Sequence, residues 1–92
     1  MKITFDPAKD RTNRTKHGFP LAMAERLFDQ VTVEFEDDRF DHGETRMVTL
    51  GLIEGRVVVC VYTDRGRSRR IISLRKATSH ETKEYFRYAQ GG

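Results

Sequence analysis

Between Arg65 and Lys76, six of twelve residues are basic (Arg65, Arg67, Arg69, Arg70, Arg75 and Lys76), none is acidic, and the run encloses a short apolar stretch, Ile71-Ile72-Ser73-Leu74. Arginines built into a strand, unlike those on a loose tail, can aim several charges at one phosphate. A phosphodiester attacked at phosphorus gains negative charge on its non-bridging oxygens, and guanidinium donors fixed there favour that state over the ground state. Strict strand alternation sends Arg69, Ser73 and Arg75 to one side with Ile71, and Arg70, Ile72 and Leu74 to the other. On that pattern Arg70 joins Arg75 in one site only if the strand twists or ends near it. Arg65 and Arg67, on the preceding turn, extend the strip toward neighbouring phosphates. The bland reading of the same run is charge that solvates an edge strand and protects it from aggregation.

Groups able to move a proton are fewer. His17 closes a helix beside Lys16, where capping and proton transfer are both open to it. Glu81 falls at the third position after Thr78, the reciprocal acceptor of a capping box, and is also a carboxylate near the basic strand. Tyr85 and Tyr88 follow on the same helix and suit either stacking on an unpaired base or packing of the helix on a sheet. His17, His42, His80 and Cys60 lack metal-ligand spacing, the carboxylates near Asp37 lack a calcium-loop pattern, and no glycine-rich phosphate loop occurs, so neither metal nor cofactor is expected. Cys60 sits within Val57-Val58-Val59-Cys60-Val61-Tyr62 and reads as a buried small side chain.

Charge is segregated along the chain. Residues 1–24 carry five cations against two anions, residues 25–54 three against nine, and residues 55–92 nine against three, so the net +3 conceals opposed halves. The basic parts fit a nucleic-acid partner, and the acidic middle fits a basic protein or an internal counter-charge. At 92 residues the chain is one domain, 1–92, with a modest core. It shows no apolar signal region and no stretch of membrane-spanning length, which places it in the cytoplasm as an expectation.

The elements that position these groups are well punctuated. Asp6-Pro7 caps a polar helix running to His17, and Gly18 stops it. Pro20 restarts a helix with Leu21, Ala24, Leu27 and Phe28 on one face. Strands are predicted over 31–35, 45–53, 56–63 and 69–75. Glu54-Gly55 makes a hairpin, Asp64 to Ser68 a turn around Gly66, and Glu36 to Glu44 a charged turn. Thr78 opens a last helix that runs to Ala89. The third strand, apolar on both sides, belongs at the centre. This order gives an α+β domain with two N-terminal helices, a four-stranded, mainly antiparallel sheet and a C-terminal helix.

Several strings occur together in this order: Phe5-Asp6-Pro7-Ala8-Lys9, Asn13-x-x-Lys16-His17-Gly18, Leu27-Phe28-Asp29, Glu36-Asp37-Asp38-Arg39 with Gly43-Glu44-x-Arg46, Val61-Tyr62-Thr63, and Arg70-Ile71-Ile72-Ser73-x-Arg75-x-Ala77-Thr78-x-x-Glu81-x-x-x-Tyr85. Over nearly the whole chain they resemble the BrnT family of type II toxins. Phe5 in place of a frequent tryptophan, and Leu74 in place of a small residue, depart from the pattern at packing positions. The resemblance implies a RelE-like fold and a ribonuclease toxin that blocks translation by cutting RNA. It also implies neutralisation by a BrnA-like antitoxin with a ribbon-helix-helix-type DNA-binding domain, the pair repressing its own promoter. Lys16, His17, Arg65, Arg70, Ser73, Arg75, Glu81 and Tyr85 fall where that family's polar residues lie.

The chemistry these readings join on is metal-independent endoribonucleolytic cleavage by 2′-hydroxyl attack. Arg75 and Arg70 stabilise the transition state, and Lys16, Arg65, Arg67, Arg69 and Ser73 hold RNA. His17 is the first choice for acid or base, Glu81 the second, and Tyr85 orients or stacks. The competing class is a non-catalytic basic module that binds nucleic acid or assembles with a protein.

Overall fold

In the computed structural model, residues 2–38 and 43–91 are described; Arg39, Asp41 and His42 of the charged turn lie outside them. The order is β1 (Lys2–Thr4), α1 (Pro7–His17), a 3₁₀ helix (Leu21–Leu27), β2 (Val33–Asp37), β3 (Arg46–Ile53), β4 (Arg56–Arg65), β5 (Ser68–Lys76) and α2 (Ser79–Ala89). The strands form one sheet in the order β1-β5-β4-β3-β2. β2 to β5 are an antiparallel meander, while β1 lies parallel to β5. The expected α+β class is therefore found, but the sheet is five-stranded and mixed. Ile3-Thr4 is too short to declare itself a strand, and only β5, more than sixty residues away, gives it a partner.

The second N-terminal helix is 3₁₀ and not α. Leu21, Ala24 and Leu27 recur every three residues, which is the 3₁₀ repeat, and all three are fully buried. They pack with Val58, Cys60, Tyr62, Ile71 and Leu74 to form the core on one side of the sheet, here called the inner face. Gly51 makes this approach possible, because a Cβ there would stand 2.9 Å from Leu27 Cδ2. On the other side, the outer face, Val48, Leu50, Val57 and Val59 meet Tyr85 of α2. β4 is thus covered on both faces, as its unbroken apolar run requires.

Local signals set the ends of the elements. Asp6 accepts from the Ala8 N–H at 2.8 Å, and Gly18, at φ 79°, closes α1. Thr78 and Glu81 complete a reciprocal capping box at α2. Glu54 and Gly55, at φ 54° and 75°, make the tight β3–β4 hairpin.

Two amide side chains finish the sheet where strands run out. β1 pairs with β5 only up to Arg70. Beyond it, Asn13 of α1 donates to the Leu74 carbonyl at 2.8 Å and accepts from the Leu74 N–H at 3.2 Å. Across the sheet, β2 reaches only Leu50 of β3. There Gln30 donates to the Leu52 carbonyl at 2.7 Å and accepts from its N–H at 2.8 Å. Each amide presents the donor and acceptor pair of a missing strand, so the backbone groups it meets are not left unsatisfied.

Candidate active site

The basic strand does not alternate strictly. In the β4–β5 ladder Val61 faces Ser73 but Tyr62 faces Ile71, so Ile72 is an extra, bulged residue. From Ile71 toward the N-terminus of the strand every side chain therefore changes side relative to strict alternation. Arg70 pairs with Thr63 and Arg75 with Val59, both on the outer face, and Ser73 lies between them on that face. Arg69 pairs with Asp64 on the inner face. The alternation drawn from sequence, which grouped Arg69 with Arg75 and set Arg70 opposite, is corrected by this one residue.

Arg75 is held by α2. Its Nη1 and Nη2 donate to the two carboxylate oxygens of Glu81, each at 2.8 Å, a fork-on-fork pair. That contact, with the Thr78 backbone hydrogen bond of the capping box, holds the Glu81 carboxyl down to about 2 against the desolvation that opposes it. A carboxylate so stabilised is a poor proton acceptor, and its geometric effect is to fix the guanidinium. The capping box and the ion pair use the same side chain, so the start of α2 and the aim of Arg75 are set together.

Near the far end of the same face lies a second group of charges. Arg65 donates to Glu44 at 3.0 Å, and the Glu44 carboxyl is lowered chiefly by that bond, with Arg46 and Arg70 adding to the effect. Arg70 makes no hydrogen bond or ion pair among the described residues, which leaves its fork open to a phosphate. Arg46, paired with Asp37 across β2–β3, has a buried Nε without a partner among the described residues. Glu44 and Arg46 were quoted from sequence only as part of a motif, because nothing local shows that the start of β3 brings Glu44 within electrostatic reach of Arg65 and Arg70.

Lys16 and His17 approach from α1. With Lys9, Thr12, Ile72 and Ser73 they line a groove of about 360 Å³ along the open edge of β5. Ser73 is the residue common to this groove and to the arginine row. Arg67 is exposed on the two-residue turn with Gly66.

Two residues named from sequence are placed elsewhere. Arg69 donates twice to Asp64, at 2.8 and 3.2 Å, and its guanidinium lies 4.0 Å over the Tyr62 ring and 4.6 Å over Phe28, roofing the inner core. Tyr62 in turn donates its hydroxyl to Glu34. Tyr85 is only 4% exposed and spends its hydroxyl on the Val31 carbonyl, at 3.4 Å. Both side chains are committed to packing in this conformation. Cys60 is fully buried, and burial pushes its thiol up to about 12, which leaves it unreactive at neutral pH.

An α+β domain that lays out Arg65, Arg70, Ser73 and Arg75 on one sheet face, with lysine and histidine at the adjoining edge, presents a cationic surface whose charge is complementary to a polyanion. Residues 5–81 match the family described as ribonuclease toxin, BrnT, of type II toxin-antitoxin system, and the chain belongs to that family. No individual curated protein matches it. It is accordingly a ribonuclease toxin whose system includes an antitoxin partner. Among the described residues no helix is long and apolar enough to cross a membrane.

Proposed function

We propose that the outer face between Arg70 and Arg75 cleaves RNA within the strand, by attack of a 2′-hydroxyl on the adjacent phosphorus and without a metal ion. The observation that carries this reading is the bulge at Ile72, which brings Arg70 to the face of Ser73 and Arg75 where strict alternation would set it opposite them. Arg70 takes the scissile phosphate directly. Arg75, aimed by Glu81, stabilises the charge that grows on the non-bridging oxygens. His17, at the groove beside Ser73, is the group assigned to proton transfer, and Lys16, Arg65 and Arg67 hold flanking phosphates. Glu81 acts as a positioning residue. Neutralisation by an antitoxin that carries a DNA-binding domain, and repression of the shared promoter by the pair, complete the proposal.

The test is cleavage of a defined RNA by purified toxin in excess EDTA. Products ending in a 2′,3′-cyclic phosphate, and loss of cutting when the nucleotide at the cut site is 2′-deoxy, are the expected results. Cutting that stops in EDTA, or that ignores the 2′-deoxy substitution, refutes the mechanism. RNA binding that weakens steeply with salt, with no cleavage, marks a non-catalytic module instead.

A further inference from the structure

Between β2 and α2 lies a second groove of about 210 Å³, mainly apolar and lined by Val33, Phe35, Leu50, His80 and Tyr88 together with Glu81 and Glu84. Phe35 is 52% exposed, Tyr88 54% and nearby Val31 70%, and these with Phe86 on α2 are the exposed large apolar side chains among the described residues. Exposed apolar groups gathered at one groove mark a surface that another molecule covers. β2 is also a terminal strand of the sheet, so among the described residues its outer backbone edge pairs with no further strand.

Charge decides the occupant. β2 carries Glu34, Glu36 and Asp37 within five residues, and Asp38 follows. RNA is repelled by that edge. A second copy pairing β2 on β2 would set these carboxylates against their own kind. A basic chain with alternating apolar residues meets neither obstacle: its apolar side chains enter the groove over Phe35 and Tyr88, and its lysines or arginines reach Glu36, Asp38 and Glu84.

We infer that an extended, basic segment of the antitoxin adds to the sheet as a sixth strand along β2 and seats its apolar side chains in the groove between β2 and α2. This rests on the type II assignment, which supplies the partner, and not on the cleavage mechanism. Glu81 lines the same groove and holds Arg75, so the docked segment lies against the carboxylate that aims the proposed catalytic arginine. Inhibition and docking then share one side chain.

The experiment uses full-length antitoxin, obtained by co-expression with the toxin, and measures its affinity for wild-type toxin and for Phe35→Lys, Tyr88→Ala and Glu36→Lys. Phe35→Lys is expected to weaken binding at least about thirtyfold, the scale of an interface hot spot, while RNA cutting by the free toxin stays unchanged. Glu36→Lys should slow association and flatten its salt dependence. Because these side chains are exposed, melting temperatures should hold within about 3 °C, as for surface changes generally. In the complex, hydrogen exchange should slow along Val33–Asp37. Undiminished affinity in Phe35→Lys and Tyr88→Ala, exchange protection confined to α1 and β5, or a free-toxin dimer protected along β2 would each overturn the inference. A toxin that cuts no RNA defeats the cleavage proposal alone, because affinity and exchange read the docking surface without it.

Discussion

Arg70 and Arg75 stand five residues apart on β5 yet project from the same face of the sheet, because Ile72 is squeezed out of the β4–β5 ladder between them. An odd spacing on a strand normally separates two side chains to opposite faces. Here one supernumerary residue restores them to a common side.

The two arginines are held differently, and lysine replacements should separate them. Arg75 makes two parallel bonds to Glu81, a geometry an ammonium cannot copy, so Arg75→Lys is expected to lose cutting on the order of a hundredfold. Arg70 has no such fork among the described residues, so Arg70→Lys should keep more activity, within about tenfold of wild type, by placing a point charge near the phosphate. Single-turnover cleavage rates of the two variants decide it, and equal losses would argue against the distinction.

Glu81 also links the site to acid stability. Its carboxyl in the folded chain titrates at about 2, first because of the Arg75 hydrogen bond, below its ordinary value of 4.5. A depressed folded-state pKa contributes stability that is fully present above the unfolded value and is lost as pH falls toward the folded one. The window therefore runs from about pH 4.5 down to about 2. Glu81→Gln keeps the capping box, removes the ion pair, and should cost about 1–2 kcal/mol at neutral pH after allowance for solvent screening. Urea unfolding across that pH range should show the gap between wild type and variant closing at the acid end.

Asn13 is buried and makes three hydrogen bonds, to Phe19 and to both backbone groups of Leu74. Asn13→Ala leaves the open edge of β5 without its substitute partner and should destabilise the fold by about 2–4 kcal/mol. Denaturant unfolding gives the magnitude, and faster exchange of the Leu74 amide gives the location.

Gly51 tests how closely the 3₁₀ helix rides on the sheet. In Gly51→Ala the new methyl would meet Leu27 Cδ2 at 2.9 Å and Thr32 Cγ2 at 3.2 Å, with φ in the ordinary range for any residue. Overpacking of this kind costs about 1–3 kcal/mol, which for a chain of this size lowers the melting temperature by about 5–20 °C. A thermal melt that did not move would mean that Leu27 swings aside at no cost.

The chain by itself determined what local chemistry can determine. Asp6-Pro7 with Gly18, Glu54-Gly55, and Thr78 with Glu81 each satisfy or terminate their own backbone, so α1, the β3–β4 hairpin and α2 fall where their residues say, and the apolar run of β4 required a central strand. The strings that place residues 5–81 in their family are legible for the same reason, being ordered short motifs in a small chain. What only the tertiary structure decided depends on partners distant in sequence. β1 exists because β5 accepts it, Asn13 finds Leu74 sixty-one residues away, and Glu44 and Arg46 reach Arg70 only across the folded sheet. Tyr85 and Arg69 became packing residues because of what lies opposite them. The bulge is the sharpest case: nothing in Arg70-Ile71-Ile72-Ser73 singles out Ile72, since which residue leaves the ladder is fixed by fitting Ile71 and Leu74 together into the inner core against Tyr62 and Cys60.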